Sequence, residues 1–329
     1  MDYRADHRAA PAEDSTVELG TGELSTGELS TGEWGTGNQV QGEPRAGRWR
    51  PATGRENGSS PAVRRSCAGQ DQAPLVLMYH SITPYTEDPY LVTVSPERFR
   101  RQVRWLHRQG LRGVSMAALM AARQRQCEAG LVGLTFDDGY DDFRRYALPV
   151  LLRYGFTATA FVIAGRLGGD NGWDERGPRK DLMTARQVRE VAAAGMEIGS
   201  HGLRHVTLTE TTDLALQREQ LRSREILQDV TGSEVAGFCY PYGSLDRRVL
   251  DGVRGAGYEY GCAIWASELT GRYALPRVYV GEADGGARLR AKRLRQRLAC
   301  RNALAGDAGV PAGPAVALAG TQPGLRRSA

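Results

Sequence analysis

The sequence predicts an α/β fold in which a parallel sheet closes into a barrel. Short apolar runs of strand length alternate with segments of helical period, and short connections join them, which is typical of βα units. About seven or eight such strands over roughly 210 residues suit a single barrel. No G-x-G-x-x-G motif follows the first strand, which argues against an open dinucleotide-binding sheet.

Composition divides the chain of 329 residues into three parts. Residues 1–72 are polar, rich in Gly, Glu and Thr, and carry a short Thr-Gly-Glu-Leu-Ser repeat. They are predicted to be disordered, because so few apolar side chains cannot offset the entropy of ordering. Residues 73–291 carry nearly all the apolar periodicity and form the predicted domain. Residues 292–329 are predicted to be a disordered tail.

Strands are predicted where a short run of apolar or β-branched residues is bounded by polar or turn-forming residues. The predicted strands cover residues 75–80, 131–136, 157–164, 196–200, 237–241, 258–264 and 275–280. The second strand is the clearest, because it is apolar almost throughout and stops at Asp137, Asp138 and Gly139.

Helices are predicted from start and stop residues and from apolar spacing. The first begins with an N-cap at Ser95 before Pro96, and another opens with a capping box from Thr184 to Gln187. The predicted helices are residues 96–109, the stretch after Asp138 up to Gly155, and residues 184–194, 214–230 and 246–254. A basic stretch, residues 288–297, suits either a solvated helix face or the start of the tail.

Charge and cysteine content exclude several classes of function. The net charge is +5, but the arginines are scattered and no basic patch is interleaved with aromatic residues, so we predict no nucleic-acid partner. The five cysteines are odd in number and form no C-x-x-C pair, which excludes a disulfide framework and a cysteine zinc site. This usage fits a reducing compartment.

The N-terminal residues contain no apolar h-region, and no apolar run approaches the length of a membrane span. We therefore expect a cytoplasmic protein without a membrane span. An extracellular or cell-envelope location stays open if the start of the chain is misassigned.

Two adjacent carboxylates, Asp137 and Asp138, end the clearest strand, and two histidines four apart, His201 and His205, follow a later one. Singly, the aspartates could cap a helix, and a histidine pair need not bind metal. Two like charges buried together favour a cation, however, and one carboxylate with two imidazoles leaves open positions on it. The pattern therefore indicates a catalytic metal site at the carboxyl ends of barrel strands, where His80 and Tyr242 also lie.

Three linked motifs carry a resemblance to a known family. Residues 135–139 (Thr-Phe-Asp-Asp-Gly), 200–205 (Ser-His-x-x-x-His) and 240–243 (Tyr-Pro-Tyr-Gly) resemble the polysaccharide deacetylases, the NodB-homology domain of carbohydrate esterase family 4. The resemblance covers residues 75–280 and implies a distorted (β/α)7 barrel that removes acetyl groups from sugars with a metal ion. Residues 77–81 and the Trp173–Asp174 loop are most similar to the branch that includes poly-N-acetylglucosamine deacetylases.

The resemblance also implies a role for each site residue. Asp138, His201 and His205 would bind a divalent metal, usually zinc, and Asp137 would be the general base. The backbone N–H of Tyr242 would stabilise the oxyanion. No histidine follows His205 to supply the family's usual general acid, but in the branch that this chain resembles a histidine of the first strand has that role, which implies His80. The residues expected to contact the carbohydrate substrate are Trp173, Asp174, Tyr240, Pro241 and Tyr242.

The chain departs from the family pattern at two positions. Cys239 stands where the family has an arginine that contacts the catalytic base, and by analogy Arg277 could replace that arginine from another strand. Gly202 stands where a Ser or Thr usually braces the metal-binding loop. Three functions therefore stay open: deacetylation of N-acetylglucosamine-type poly- or oligosaccharides, deacylation of a small intracellular acylated sugar conjugate, and carbohydrate binding with weak or no catalysis.

Overall fold

The computed structural model describes residues 74–300, with the side chains of 297–300 excluded. The predicted disordered region 1–72 and residues 301–329 of the predicted tail lie outside the described residues. Within residues 74–300 we find no helix that combines the length and the apolar character needed to cross a bilayer.

A parallel sheet of eight strands forms the centre of the described domain, in the order β10-β1-β5-β6-β7-β8-β9, with β4 paired beside β5. Two further short strands, β2 and β3, pair with each other. The strands are β1 (Val76–Tyr79), β2 (Ser81–Ile82), β3 (Thr93–Val94), β4 (Arg112–Val114), β5 (Leu131–Phe136), β6 (Thr159–Val162), β7 (Glu197–Ser200), β8 (Gly237–Cys239), β9 (Tyr260–Cys262) and β10 (Val278–Tyr279).

The sheet closes on itself, which confirms the predicted α/β barrel. β10 pairs with β1, and a parallel bridge between Cys262 and Leu275 joins β9 to the segment that enters β10. The barrel is distorted at β5, whose first residues pair with β4 and whose last residues pair with β6. The carboxyl ends of β1, β5, β7 and β8 therefore open on the same side of the barrel.

Helices surround the sheet and bury their apolar faces against it. The N-cap at Ser95 and the capping box of Thr184 with Gln187 are both present, as predicted. The helices are α1 (Pro96–Arg108), α2 (Met116–Gln124), α3 (Leu148–Arg153), α4 (Ala185–Ala193), α5 (Asp213–Gln217), α6 (Ser223–Thr231), α7 (Arg247–Gly255) and α8 (Gly286–Cys300).

Two of the predicted helices contain a wide π-helical segment. Residues Phe143–Ala147 form one before α3, and residues Arg218–Arg222 form the other between α5 and α6. The second segment turns both Glu219 and Gln220 inward, where both are buried.

Several elements differ from the prediction. The structure adds β2, β3, β4 and α2, because strands of two or three residues are too short to show a period and α2 has only a weak apolar stripe. Helix α8 continues to Cys300, so the predicted domain end at Ala291 and tail start at residue 292 fall inside a helix. Strong helix formers without Gly or Pro continue that helix after Ala291.

Candidate metal centre

The backbone of the barrel brings the predicted ligands to one edge. The N–H of Asp137 donates to the carbonyl of Tyr79 at 3.0 Å, and the N–H of His201 donates to the carbonyl of Val162 at 2.9 Å. These bonds continue the strand ladders by one residue. Asp137, Asp138 and His201 therefore leave the sheet where β5 and β7 end.

Two imidazoles converge on one carboxylate oxygen. The Nε2 atoms of His201 and His205 lie 3.3 and 3.4 Å from Oδ1 of Asp138. All three residues are buried, and their ligand atoms lie within 4.8 Å of one another. Burial alone would raise the pKa of Asp138, but the two imidazoles beside its carboxylate outweigh burial and hold that pKa well below its usual range.

The chemistry of this set fits a metal ion. Oδ1 of Asp138 is buried and accepts no hydrogen bond of good geometry, which leaves a lone pair for a cation. The Nδ1 of His201 lies 2.9 Å from the backbone carbonyl of Cys239, and a proton on Nδ1 frees Nε2 as a ligand. One carboxylate and two imidazoles would hold a divalent cation and leave positions open for other ligands.

Three site residues hold left-handed backbone conformations. The φ angles are 72° at Asp138, 64° at His205 and 57° at Tyr242. Each such residue costs on the order of 1–2 kcal/mol, a strain that collects at functional sites. Gly139, which follows Asp138, has φ 75°, and a Cβ there would lie 3.2 Å from Val162.

Arg277 holds the predicted base. Its Nη1 and Nη2 donate to Oδ1 and Oδ2 of Asp137 at 2.6 and 2.8 Å, and Nη1 also reaches Oγ1 of Thr135 at 3.0 Å. Burial raises the pKa of Asp137, but the charge and hydrogen bonds of Arg277 outweigh burial, so the pKa falls below its usual value. Arg277 lies immediately before β10. Its contact with Asp137 is the one that the analogy with the family arginine had suggested.

Cys239 lies between this pair and the metal ligands. Its Sγ is 3.1 Å from Nη2 of Arg277 and 3.5 Å from Oδ2 of Asp137. Cys239 also belongs to a second group with metal-ligand spacing, which consists of Asp137, His201 and Cys239. Burial raises the pKa of the Cys239 thiol to about 11, which makes the thiol a poor nucleophile at neutral pH. The Asp138 group is the better metal site, since Asp137 is already bound by Arg277.

A buried glutamate that the sequence analysis missed braces the metal-binding loop. Oε2 of Glu219 accepts hydrogen bonds from the backbone N–H groups of Leu203 and Arg204 at 2.7 and 3.0 Å, and Oε1 accepts one from Nε of Arg204 at 2.9 Å. Gly202, with φ 77°, leaves space for this carboxylate, because a Cβ there would lie 3.2 Å from Oε2. A signal for Glu219 existed in the spacing of Leu216, Glu219, Ser223 and Leu227 along one helix face.

His80 lies at the rim of the site, as predicted. Its Nε2 is 3.9 Å from Oδ2 of Asp137, and its side chain is 14% exposed. A histidine in this place can reach both solvent and the base. Its role as general acid stays a prediction.

The predicted substrate contacts fall into two groups. The ring of Trp173 lies 4.6 Å from that of His205, and the ring of Tyr242 lies 4.4 Å from it, so both border the metal ligands. Asp174 accepts a hydrogen bond from Tyr140 at 3.4 Å. Burial and then the charge of Asp138 raise the pKa of Asp174 to about 6. Their contacts with substrate stay predictions.

The side chains of Tyr240 and Pro241 are both buried, and their contact with substrate stays a prediction. Strand alternation puts Tyr240 on the same face as Phe238, towards the helices, with the two rings 5.3 Å apart. The hydroxyl of Tyr240 donates to the carbonyl of Tyr273 at 2.7 Å. These residues support the loop that presents Tyr242.

Comparisons with known proteins point to one family. The family model described as Polysaccharide deacetylase matches residues 124–261. The polysaccharide-deacetylase-like protein YxkH of Bacillus subtilis (strain 168) is 30% identical over 217 residues, which cover 64% of this chain and 73% of that protein. A poly-β-1,6-N-acetyl-D-glucosamine N-deacetylase of Staphylococcus aureus (strain MSSA476) is 21% identical over 203 residues, covering 58% and 68%.

Solved structures share the fold. The deacetylase PplD of Streptococcus pyogenes, in complex with acetate, matches with a TM-score of 0.57 at 24% identity, over 67% of this chain and 97% of that one. IcaB from Ammonifex degensii matches with a TM-score of 0.55, at the same identity and coverage. These likenesses support the distorted barrel described above.

Proposed function

The chain belongs to the polysaccharide deacetylase family, and from that premise we propose that it removes N-acetyl groups from N-acetylglucosamine-type poly- or oligosaccharides. The observation that carries the proposal is the pair of imidazole Nε2 atoms 3.3 and 3.4 Å from Oδ1 of Asp138, beside an Asp137 held by Arg277. The activity in the name of the staphylococcal relative supports the amino-sugar substrate.

We further propose that the cation is zinc, bound by Asp138, His201 and His205, because two imidazoles and one carboxylate suit zinc. Such an ion would polarise the acetyl carbonyl and lower the pKa of a water molecule. Asp137 accepts the proton of the attacking water, because Arg277 keeps its carboxylate ionised and fixes its orientation.

Two further groups of the chain complete the reaction. His80, 3.9 Å from Oδ2 of Asp137, donates a proton to the departing amine. The backbone N–H of Tyr242 donates to the acetyl oxygen that becomes the oxyanion when water adds to the carbonyl carbon. Trp173 and Asp174 border the space next to His205 and Tyr140 and contact the sugar.

The alternative of a non-catalytic carbohydrate-binding protein rests on the missing arginine at position 239. Arg277 supplies two hydrogen bonds to Asp137 from another segment, so the base retains its charged partner. No observation in residues 74–300 therefore favours that alternative over catalysis.

Acetate release from a panel of acetylated glycans, with chelator and after added Zn²⁺, tests the proposal. We expect release from N-acetylglucosamine oligosaccharides, loss with chelator and recovery with Zn²⁺. His201→Ala should abolish release and lower metal content, whereas His107→Ala, at an exposed histidine on α1, should change neither. Chelator-insensitive release, or full turnover in His201→Ala, would contradict the metal assignment.

A further inference from the structure

A cleft lined by arginines lies on the outer side of the barrel, between α1 and the start of α8. Its volume is about 380 Å³, and no residue of the metal centre lines it. Four arginines of α1 line it: Arg98, Arg101, Arg104 and Arg108. They follow one another at intervals of three, three and four residues, so they share one face of the helix. The cleft therefore concentrates positive charge away from the metal.

The acidic residues around the cleft are already paired. Asp284, which also lines the cleft, accepts hydrogen bonds from the backbone N–H of Gly281 at 2.9 Å and from Nζ of Lys292 at 2.5 Å. Glu97 is the one acidic residue of α1, and it pairs with Arg100. Helix α8 contains no acidic residue. These carboxylates therefore leave most of the positive charge in the cleft unbalanced.

Three of the four guanidiniums lack a partner among the described residues. Arg101, Arg104 and Arg108 are exposed, and none of them forms a hydrogen bond or ion pair with a described residue. Like charges three or four positions apart on a helix repel one another and destabilise it. An anion bound in the cleft would turn this repulsion into attraction.

Two buried polar atoms in the wall of the cleft also lack a hydrogen-bond partner. Nε of Arg98 is one, since the oxygen of Glu282 with which it pairs is 3.6 Å away. Oε1 of Gln102 is the other, although Nε2 of that side chain donates to the carbonyls of Gly281 and Asp284 at 3.1 and 2.9 Å. Buried polar groups in folded proteins are nearly always paired. An unpaired donor beside an unpaired acceptor suits a ligand that carries both oxygen acceptors and hydroxyl groups.

Trp105 adds an aromatic surface to the lining. The half-buried indole packs so closely on Gly286, the first residue of α8, that a Cβ at that position would overlap Nε1. The glycine therefore lets α8 begin directly against the ring. The cleft combines an apolar ring with four guanidiniums, so it suits a ligand with an anionic end and a less polar body.

We propose that this cleft binds the phosphate group of a small phosphate ester, such as a sugar phosphate. The four cations of α1 that line it are all arginines, whose planar fork donates paired N–H groups to phosphate oxygens. A phosphate ester offers three such oxygens to several guanidiniums, whereas a carboxylate offers two. The body of the ester contacts Trp105, and its hydroxyl groups supply the donor that Gln102 lacks. A recessed cavity of this size suits a small ligand better than a flat membrane surface.

The test is calorimetric titration of the full chain with glucose 6-phosphate, inorganic phosphate and glucuronate, a sugar with a carboxylate in place of the phosphate. We expect glucose 6-phosphate to bind with a dissociation constant below about 1 mM, about tenfold more tightly than the other two. Arg101→Ala combined with Arg104→Ala should weaken its binding about a hundredfold, because each change removes charge-assisted hydrogen bonds. Arg101→Lys combined with Arg104→Lys keeps the charge without the fork and should weaken binding about tenfold.

The matched control combines Arg189→Ala with Arg247→Ala, at exposed arginines on α4 and α7. It removes the same net charge as the double alanine variant of the cleft, and it should bind glucose 6-phosphate as wild type does. Circular dichroism would show whether each variant is folded. Because binding is measured without turnover, the result does not depend on whether the proposed deacetylase activity is correct.

Each outcome either supports the proposal or overturns it. Equal affinity in wild type and in the Arg101 and Arg104 alanine variant would overturn it, as would no binding of glucose 6-phosphate at about 10 mM. Glucuronate bound as tightly as glucose 6-phosphate would overturn the assignment to phosphate. Inorganic phosphate bound as tightly as the ester would support the phosphate site and overturn the role of the ester body. Cosedimentation with phosphatidylglycerol vesicles, without binding of glucose 6-phosphate, would overturn the proposal in favour of a lipid surface.

Discussion

Replacing Glu219 with alanine removes the carboxylate that accepts the N–H groups of Leu203 and Arg204. A buried N–H that loses its acceptor costs about 1–3 kcal/mol, and the low end applies because Leu203 and Arg204 are partly or fully exposed. The bond to the Arg204 side chain adds little, since that side chain is 58% exposed. The sum is about 2 kcal/mol, which corresponds to roughly thirtyfold in a dissociation constant.

The lost stabilisation should weaken metal binding, because the segment that Glu219 braces joins His201 to His205. Titration of the metal-free protein with Zn²⁺ against a chromophoric chelator measures the dissociation constant directly, without reliance on turnover. We expect it to rise about thirtyfold in Glu219→Ala, within the range known for residues that orient metal ligands. Glu219→Gln keeps an oxygen acceptor and should change it by about threefold or less.

Glu225→Ala is the matched control, because Glu225 lies on the adjoining helix α6 and forms only an exposed pair with Arg222. Circular dichroism and thermal melting of the metal-free proteins would show whether each variant is folded. A folded Glu219→Ala that binds Zn²⁺ as tightly as wild type would refute the bracing role.

Three further predictions follow from the same contacts. Arg277→Met leaves the buried Asp137 carboxylate without its partner and should lower the free energy of unfolding in urea by about 3–5 kcal/mol; a loss below about 1 kcal/mol would contradict the buried pair. His80→Gln should lower kcat for acetate release by about 10²–10⁴-fold with KM nearly unchanged, and an unchanged kcat would exclude His80 as the general acid. Gly202→Ser restores the family hydroxyl, yet should weaken Zn²⁺ binding in the same titration, because φ is 77° and the new Cβ would lie 3.2 Å from Glu219. Tighter binding would show that the site accommodates the side chain.

The convergence of Asp138, His201 and His205 was predictable from the sequence because the placement of these residues depends on local patterns. An apolar run that ends at Asp137 and Asp138 fixes both a strand and the edge at which it stops. A second run ending at His201 adds the imidazoles, since the carboxyl ends of parallel strands lie on one side of a barrel. Sequence reasoning therefore identified the convergence that the structure shows.

Other features depend on which segments become neighbours, and the sequence analysis derived them only in part. The contact of Arg277 with Asp137 forms only when the barrel closes between β9 and β1. Local sequence patterns do not show that closure, so only the analogy with the family arginine suggested the contact. The brace from Glu219 requires a helix to pass beneath the metal-binding loop. The burial of Tyr240 was not foreseen because the motif was read as a unit, although strand alternation already turns Tyr240 away from Cys239.

The wide helical segment at Arg218–Arg222 has a consequence for how this site tolerates change in chain length. A regular α-helix advances about 100° per residue, so deletion of one residue within the segment would rotate Glu219 away from the loop while α6 kept its packing. Such a deletion would leave the His201–His205 loop without either brace, because Gly202 offers no hydroxyl. The wide helical segment and the glycine at position 202 therefore depend on each other.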